Sequence, residues 1–514
     1  MPSKPNVLFI VCDQLRADCV TGALAEHVRL PNIQALRRDA VTFTNHFSVT
    51  SPCGPARASL LTGLYAMNHR SVRNGAPLAD DFTNLALEMG NNGYQALLFG
   101  YTDTSRDPRG RAPDDPVLQN YEQTLPGFHE CLEMRQDFGS EPWRTDLKRK
   151  GYTLPDPGNF YAPVSDNPSR APRLDDPPFY RADDSDTAFL TNEFLRLIPD
   201  HATDDWLALL AYIRPHPPLV APAPYNHMYN PHDLPLPQRL DNIQQECAVH
   251  PIMHGAVEKP RIDQIVRGFE GQLDQSDNSV IQTLRALYLG LASEVDTHIG
   301  RVIEQLKMTG QYDDTIIVFT ADHGETLGDH YLWGKENPYD VSFRVPLIIR
   351  DPAHPQMHGT NIDALTESVD VAPTILDLTG QAVPTSMDGV SLTPFLNATP
   401  PKAWRDHVFL ELDFGEPDAP TVWQKATGVG FRRANLTILR ETRFKLVHFN
   451  GGLPPLLFDL VSDPHELDNL ANDPAHAATL LRLTRKLLDH RMSHSDSRLS
   501  DIKIAPGGIR KYQP

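Results

Sequence analysis

Residues 48–63 read Ser-Val-Thr-Ser-Pro-Cys-Gly-Pro-Ala-Arg-Ala-Ser-Leu-Leu-Thr-Gly, and this stretch decides the fold class and the chemistry. Within it, Cys53 is followed by a proline after two residues and by Arg57 after four. The prolines favour an extended chain, and residues 56–61 are typical of a helix start. A nucleophile at a helix N-terminus lies beside unpaired backbone N–H groups and the positive end of the helix dipole, which suits an anionic substrate. The alternative is a buried structural cysteine before a helix.

The rest of the chain alternates between apolar strands and amphipathic helices. Residues 6–11 and 315–320 are continuous apolar runs, which is typical of strands buried on both faces of a sheet. Apolar residues recur every three or four positions over residues 284–306, which predicts a long helix. This alternation predicts an α/β fold with helices on both faces of a large sheet. Further strands are expected at residues 41–47, 95–100, 206–213 and 345–349, and further helices at residues 30–40, 83–89, 187–198 and 369–378.

Two domains are predicted, because 514 residues exceed what one compact core usually holds. The first covers residues 1–400 and contains a long, proline-rich insertion loop at residues 106–180. The second, residues 401–514, has the pattern of a small antiparallel sheet followed by a helix at residues 475–490. Its last residues, 493–514, are polar, and we expect them to contribute to contacts between subunits. The strands of the second domain are expected near residues 408–410, 437–439, 444–447 and 457–459.

Composition argues against several classes of function. The formal charge of −19 argues against a nucleic-acid backbone or an anionic membrane as the main partner. The sequence has no run of about 18 apolar residues, so no transmembrane helix is expected. The first apolar stretch is too short for a signal peptide, and the five cysteines include no CxxC pair. We therefore expect a cytoplasmic protein without disulfides or a zinc site.

Acidic residues follow two of the most apolar strands. Asp13 comes after residues 6–11, and Asp322 comes after residues 315–320 with His323 next to it. Ligands of open α/β sheets bind beyond the carboxyl ends of the strands, so both acids are expected to converge on one site. Oxygen ligands with one imidazole suit a divalent ion such as Mn²⁺, Ca²⁺ or Mg²⁺. Each acid taken alone could instead be a helix cap or a turn residue.

The Cys53 motif, the two acids and the pair Asp322-His323 together resemble the type I sulfatases of the alkaline phosphatase superfamily. The resemblance covers nearly the whole chain and implies that family's fold, a large mixed sheet flanked by helices with a smaller C-terminal domain of antiparallel sheet and helix. It also implies that a maturation enzyme oxidises the Cys53 thiol to formylglycine. In that family, one hydroxyl of the hydrated aldehyde attacks phosphorus or sulfur, and collapse of the hemiacetal-type intermediate restores the aldehyde. The implied metal ligands are Asp13, Gln14, the residue at position 53, Asp322 and His323, with Mn²⁺ favoured over Ca²⁺ or Mg²⁺.

The resemblance also implies roles in the substrate pocket. Arg57 is expected to hold the formylglycine, Lys335 to contact the substrate oxyanion, and His216 to give a proton to the leaving group near neutral pH. Gln14 stands where sulfatases commonly carry a second acid, so the metal site has one negative charge fewer. The residues expected to contact the substrate are Asn74, Tyr101 and Asp103.

One departure from the sulfatase pattern indicates a particular branch of the superfamily. Arylsulfatases typically carry Lys-x-His where this chain has Tyr101-Thr102-Asp103, and the change removes up to two positive charges from the pocket. The chain therefore resembles the phosphonate monoester hydrolases, which act best on phosphonate monoesters and phosphate diesters, both singly charged, and also cleave sulfate esters. An ionised Asp103 would repel such a substrate, and the sequence leaves its orientation open.

We therefore predict a metal- and formylglycine-dependent phosphonate monoester hydrolase and phosphodiesterase with promiscuous sulfatase activity. One alternative is an arylsulfatase or alkyl sulfatase, and another is a catalytically silent relative that only binds. A transferase or mutase of the superfamily is a further alternative, but these enzymes normally use serine or threonine as the nucleophile. The expected partners are a small anionic ester and the maturation enzyme, and the resemblance implies a homo-tetramer.

Overall fold

The first strand predicted from the sequence lies in the interior of the main sheet. The computed structural model describes residues 4–136, 139–201, 205–257, 260–496, 499–500 and 502–511. In it, β1 (Asn6–Cys12) pairs in parallel with a strand on each side. Val7 and Phe9 face one buried core, and Leu8 and Ile10 face the other. Because both faces are buried, the strand shows no alternation of polar and apolar residues.

The main sheet has eight strands in the order β4-β3-β5-β1-β6-β7-β2-β8. These are β1, β2 (Val41–Phe47), β3 (Gln95–Gly100), β4 (His129–Glu133), β5 (Trp206–Tyr212), β6 (Thr315–Ala321), β7 (Leu347–Arg350) and β8 (Asn361–Glu367). β7 runs antiparallel to both of its neighbours and the other adjacent pairs are parallel, which confirms the predicted mixed sheet. The carboxyl ends of β1 and β6 therefore lie side by side.

Helices cover both faces of this sheet. The α-helices of the described chain are α1 (Asp18–Thr21), α2 (Pro31–Arg38), α3 (Cys53–Thr62), α4 (Ala66–His69), α5 (Leu85–Asn91), α6 (Glu141–Arg149), α7 (Asp186–Leu197), α8 (Ile243–Val249), α9 (Asn278–Met308), α10 (Asp340–Phe343), α11 (Val371–Leu378), α12 (Thr393–Leu396), α13 (Val422–Thr427) and α14 (Ala477–Ser493). α2, α7 and α9 pack against the core that contains Leu8. α3, α5 and α11 pack against the core that contains Val7, so the predicted three-layer arrangement is confirmed.

A second, smaller sheet follows in the C-terminal part of the chain. Its antiparallel strands have the order β12-β11-β10-β9. They are β9 (His407–Asp413), β10 (Asn435–Glu441), β11 (Phe444–Phe449) and β12 (Leu456–Asp459). One core beside this sheet includes Leu483 and Leu487 of α14, and the other includes Phe47 and Phe343 of the larger part. The predicted domain boundary near residue 400 falls between α12 and β9 and stays a prediction.

The predicted tail, residues 493–514, contains a β-hairpin made of β13 (Ile502–Ala505) and β14 (Gly508–Lys511). Ile504 and Ile509 are opposite each other in this hairpin. Residues 497–498, 501 and 512–514 of the tail lie outside the described residues, and its role in subunit contacts stays a prediction. Across the part of the chain that the structure describes, no helix combines the length and the apolar content needed to cross a membrane.

The segment predicted as a long insertion loop contains regular structure. β4 pairs with β3 at one edge of the main sheet, and α6 buries Trp143. The sequence pattern did not show β4 because the strand is short and mostly polar, as edge strands often are. β8, at the other edge, was missed for the same reason, since the first half of the strand is exposed or half-buried.

Candidate active site

The two predicted acids meet at the carboxyl end of the main sheet. Asp13 follows β1 and Asp322 follows β6, so the pairing of these strands brings both carboxylates together. Cys53 is the first residue of α3, three residues before the predicted helix start, because Pro55 is tolerated in a first turn. Asp13, Cys53, Asp322 and His323 are buried, and ligand atoms from these four residues lie within 4.8 Å of one another.

The donor atoms of this group fit a divalent cation. His323 Nδ1 donates to the Gly324 carbonyl oxygen at 3.1 Å. Its Nε2 therefore presents a lone pair to the cluster, 3.2 Å from Cys53 Sγ and 3.7 Å from Asp13 Oδ1. Burial lowers the pKa of His323 to about 4, so the imidazole is neutral at neutral pH and available as a ligand. A cation at this position would offset the two adjacent carboxylates.

Arg57 joins the two acids. Its Nε donates to Asp322 Oδ2 at 2.9 Å and its Nη2 to Asp13 Oδ2 at 3.2 Å. Burial alone would raise the pKa of Asp322, but His323 and Arg57 outweigh it and hold the pKa below its usual range. Burial and the charge of Asp322 raise the pKa of Asp13. The guanidinium group is thus a buried counterion that fixes both carboxylates in place.

Gln14 lies at the rim of this group in a left-handed backbone conformation, with φ of 68°. Its backbone N–H donates to Asp322 Oδ1 at 3.1 Å, and its Oε1 accepts from Lys335 Nζ at 2.7 Å. Its Nε2 donates to a carboxylate oxygen of Glu325. A non-glycine residue in this conformation costs roughly 1 kcal/mol or more, and such residues cluster at functional sites. The role of Gln14 as a metal ligand stays a prediction.

Glu325 is a residue of the site to which the sequence pattern assigned no role. Its carboxylate accepts from Gln14 and from two backbone N–H groups, those of Leu327 at 2.9 Å and Gly334 at 2.6 Å. It therefore connects Gln14 to the segment that carries Lys335. The available signal was its position in the run Asp-His-Gly-Glu that begins at Asp322.

Lys335 and His216 lie together above Cys53. Lys335 Nζ is 2.8 Å from His216 Nε2, and His216 Nδ1 is 2.5 Å from the Pro217 carbonyl oxygen. Burial and the neighbouring Lys335 lower the pKa of His216 well below its ordinary value. Burial would lower the pKa of Lys335 as well, but the acidic groups around it, Cys53 and Asp13 first, raise it. Lys335 is therefore the charged member of the pair, and His216 accepts at Nε2 and donates at Nδ1.

The residues predicted to bind substrate lie near Asp13 and the start of α3, and their role stays a prediction. Tyr101 donates its hydroxyl hydrogen to Asp13 Oδ2, and its ring lies 3.9 Å from the Arg57 guanidinium carbon. Asn74 Oδ1 accepts from the Gly54 N–H at 2.9 Å. A Cβ added at Gly54 would lie 3.1 Å from the Asp103 carbonyl oxygen and 3.6 Å from Asp103 Oδ2, which places this side chain beside the start of α3.

Asp103, whose orientation the sequence left open, is buried next to the site. Its backbone is left-handed, with φ of 52°, and its side-chain Oδ1 has no hydrogen-bond partner among the described residues. Burial, with a smaller contribution from Glu122, raises the pKa of its carboxyl group to about 8. Asp103 is therefore a neutral acid at neutral pH, so it does not repel an anionic substrate.

A cavity of about 570 Å³ opens beside Gln14, His216 and Lys335. Gln14, His216 and Lys335 contribute to its lining, together with Trp333 and Trp423. The arrangement is a polar, charged floor under partly aromatic walls, which suits a small anionic ester with an apolar leaving group.

Comparison with known proteins assigns the family. Residues 5–381 match the family model described as Sulfatase, and residues 328–493 match the model described as N-sulphoglucosamine sulphohydrolase, C-terminal. The chain belongs to the sulfatase family. The sequence motifs predicted a sulfatase of the alkaline phosphatase superfamily, and this prediction is confirmed. The predicted fold is confirmed as well.

Two solved phosphonate monoester hydrolases are similar to the chain over almost its whole length. The enzyme from Silicibacter pomeroyi is 53% identical with a TM-score of 0.95, and 99% of each chain is covered. The enzyme from Agrobacterium radiobacter is 41% identical with a TM-score of 0.93, covering 99% of this chain and 100% of that one. The multifunctional alkaline phosphatase superfamily protein PehA of Trinickia caryophylli is 38% identical over 521 residues, 99% of each protein. The chain is thus a hydrolase of the sulfatase family.

Proposed function

We propose that this protein hydrolyses phosphonate monoesters and phosphate diesters, depends on a divalent metal ion and a formylglycine at position 53, and cleaves sulfate esters more slowly. The observation that carries the proposal is the small positive charge that the site offers to a substrate. The similarity to two phosphonate monoester hydrolases over nearly the whole chain supports it independently.

Beside the predicted metal ligands, the side chains that carry a positive charge are Arg57 and Lys335. Arg57 is engaged by the carboxylates of Asp13 and Asp322. Lys335 has no carboxylate partner among the described residues, and its Nζ lies beside His216 Nε2. Because it lacks the lysine and histidine of an arylsulfatase, the pocket suits a singly charged ester better than a doubly charged phosphate monoester.

The two positions that distinguish this chain from arylsulfatases add no charge. The hydroxyl group of Tyr101 is neutral, because burial raises its pKa well above the ordinary value. Asp103 is neutral because burial raises its pKa to about 8. The lysine and histidine of an arylsulfatase would add up to two positive charges at these positions, which suits a more highly charged substrate.

Charge alone does not separate a sulfate monoester from a phosphodiester, since each carries one negative charge. The diester and the phosphonate monoester carry a further substituent on phosphorus. The cavity of about 570 Å³, with Trp333 and Trp423 in its walls, offers an apolar surface for that substituent. We therefore rank these two substrate classes above sulfate esters.

In this proposal the predicted ligands hold one divalent cation, with Mn²⁺ first, and the ion would polarise a substrate oxygen. Formylglycine would supply the nucleophilic oxygen and the covalent route that the family resemblance implies. Burial and the charge of Asp13 raise the pKa of the unmodified Cys53 thiol well above its ordinary value, so a thiol there would be a poor nucleophile. The proposed ligands are Asp13, Gln14, the residue at position 53, Asp322 and His323.

Lys335 and His216 would handle the leaving group and the developing charge. Lys335 Nζ carries the positive charge and donates to His216 Nε2. Because the His216 Nδ1–H donates to the Pro217 carbonyl oxygen, Nε2 is the unprotonated nitrogen, and it would pass to the leaving oxygen a proton that it first takes from the Lys335 ammonium group. Asn74, Tyr101 and Asp103 would position the substrate oxygens and the start of α3.

We further propose a cytoplasmic homo-tetramer that requires a separate maturation enzyme. The C-terminal hairpin supports the assembly, because Ile504 and Ile509 are 74% and 66% exposed and an isolated two-stranded hairpin is only marginally stable in water. Light scattering tests the assembly, and a monomer would contradict it. Mass spectrometry of the peptide across Cys53 tests maturation, and an unmodified thiol in active enzyme would contradict it.

The substrate class is tested with four esters that share one aryl leaving group: a phosphonate monoester, a phosphate diester, a sulfate and a phosphate monoester. We expect kcat/KM to be highest for the first two, lower for the sulfate and lowest for the phosphate monoester. A higher kcat/KM for the aryl sulfate than for both phosphorus esters would refute the proposal and favour an arylsulfatase. The Cys53→Ala variant is the control, and it should lose all four activities if they share one site.

A further inference from the structure

A second cavity, of about 320 Å³, lies where the segment after Asp13 meets α9, α10 and the small sheet. Among the described residues that line the two cavities, none is shared with the active-site cavity. A concave space of this size with apolar walls and a few charged groups is typical of a small-molecule site. Its charged side chains include the arginines Arg16, Arg285, Arg344 and Arg440.

Three of these arginines have carboxylate partners. The ion pairs are Arg16 with Asp18 and Asp329, Arg285 with Asp329, and Arg440 with Asp340. Arg344 is different, because its Nε and Nη2 both donate to the Thr44 carbonyl oxygen, at 3.2 and 2.7 Å. No carboxylate of the described residues forms an ion pair with Arg344. The cavity walls thus contain four arginines and three carboxylates that pair with them, which leaves one positive charge without a partner in the walls.

Arg285 adds an unsatisfied donor. Its side chain is 4% exposed, its Nη1 donates to the Leu327 carbonyl oxygen at 2.8 Å, and its buried Nε has no partner within the described part of the chain. Burial lowers the pKa of both Arg285 and Arg344. A buried guanidinium group with an unfilled hydrogen-bond position is costly, and an anion in the cavity would offset its positive charge.

We propose that this cavity binds a singly charged organic acid, with its carboxylate held by the guanidinium groups and its apolar part against Leu24 and Leu236. A carboxylate fits because arginine binds its two oxygens in a planar, bidentate manner. One negative charge balances Arg344, whereas a dianion would leave one charge unpaired. The apolar part is required because alanine, leucine, proline and valine side chains supply much of the wall.

Benzoate is the probe, and isothermal titration calorimetry of the matured, metal-loaded full chain is the measurement. We expect saturable binding of one benzoate per chain, and no saturable binding of benzamide, which has the same shape without the charge. Arg344→Gln should raise the Kd for benzoate about tenfold or more, because a hydrogen-bonded charge is lost. Leu236→Trp should raise it by filling the cavity, and its fold should tolerate the change because Leu236 is 44% exposed.

Two further variants test whether benzoate binds in this cavity and nowhere else on the chain. Arg196→Gln removes an exposed arginine elsewhere on the surface and should leave the Kd unchanged. Lys335→Ala changes the active-site cavity and should also leave it unchanged. The proposal is overturned if benzoate does not saturate, or if Lys335→Ala weakens binding as much as Arg344→Gln does. It is equally overturned if Leu236→Trp leaves the Kd at the wild-type value.

Discussion

Replacing Asp103 by asparagine should stabilise the protein at neutral pH. The Asp103 residue is 6% exposed, and its Oδ1 has no hydrogen-bond partner among the described residues. Burial raises the pKa of its carboxyl group from 3.8 to about 8, although the positive charge of Arg57 acts in the other direction. The folded protein therefore keeps a proton on this group that the unfolded chain releases above about pH 4.

The sign and size of the effect follow from proton linkage. Between the two pKa values the folded state binds one proton more than the unfolded state, so the free energy of unfolding falls by about 1.4 kcal/mol for each pH unit. The contribution of Asp103 is full below the unfolded pKa and is lost as the pH rises to about 8. Asparagine has the shape of the neutral acid and needs no proton. The free energy of unfolding of Asp103→Asn minus that of the wild type should therefore be up to about 4 kcal/mol larger at pH 7 than at low pH.

The measurement is the difference in free energy of unfolding between variant and wild type, from urea titrations of metal-free protein at about pH 5, 6 and 7. We expect this difference to grow by roughly 1.4 kcal/mol per pH unit. Asp166→Asn is the matched control, because the Asp166 side chain is 88% exposed. The difference in free energy of unfolding between this variant and the wild type should be the same at all three pH values. A difference for Asp103→Asn that is equal at all three pH values would refute a buried neutral acid. Bound metal should reduce the slope, since a nearby cation favours the carboxylate.

Two further substitutions test how the site is held together. Glu325→Gln removes the charge that orients Gln14, and we expect kcat/KM for an aryl phosphonate monoester to fall about tenfold or more. Glu304→Gln, on the exposed face of α9, is its control, and a loss of less than twofold for Glu325→Gln would contradict the positioning role. Tyr101→Phe removes one hydrogen bond to the Asp13 carboxylate and should weaken metal binding about tenfold or more, because a hydrogen bond to a charged group is worth about 1.5–3 kcal/mol. Competition with a chelator measures that affinity, and an unchanged metal Kd would show that the hydroxyl does not support the metal ligand.

Sequence reasoning located the centre of the site because strand topology fixes it. Asp13 and Asp322 each follow an apolar strand, and parallel neighbouring strands place their carboxyl ends together. Cys53 was placed by its spacing to Arg57, which lies one turn later on α3 and reaches both acids. These relations depend on local pattern and on the direction of strands, so one sequence is enough to show them.

Other features depend on packing, which a single sequence does not display. β4 and β8 lie at the two edges of the main sheet, and their partly polar sequences lack the apolar run of an interior strand. Glu325 accepts hydrogen bonds from Gln14 and from the Gly334 N–H. The fold of the turn after β6 creates these contacts, so the sequence pattern alone does not show them. The sequence also does not show that Arg344 lacks a carboxylate partner among the described residues. That observation requires the ion pairs of the three other arginines in the cavity.

In the function that we propose, the charge state of buried groups connects their burial to the choice of substrate. The sequence leaves the orientation of Asp103 open and predicts that His216 gives a proton near neutral pH. Burial raises the pKa of Asp103 to about 8 and, together with Lys335, lowers the pKa of His216. An ionised Asp103 would offset part of the positive charge near Lys335 and would weaken the attraction of the pocket for a singly charged ester. The protonation of this buried carboxyl group is therefore part of the physical basis of the preference that we propose for phosphonate monoesters and phosphate diesters.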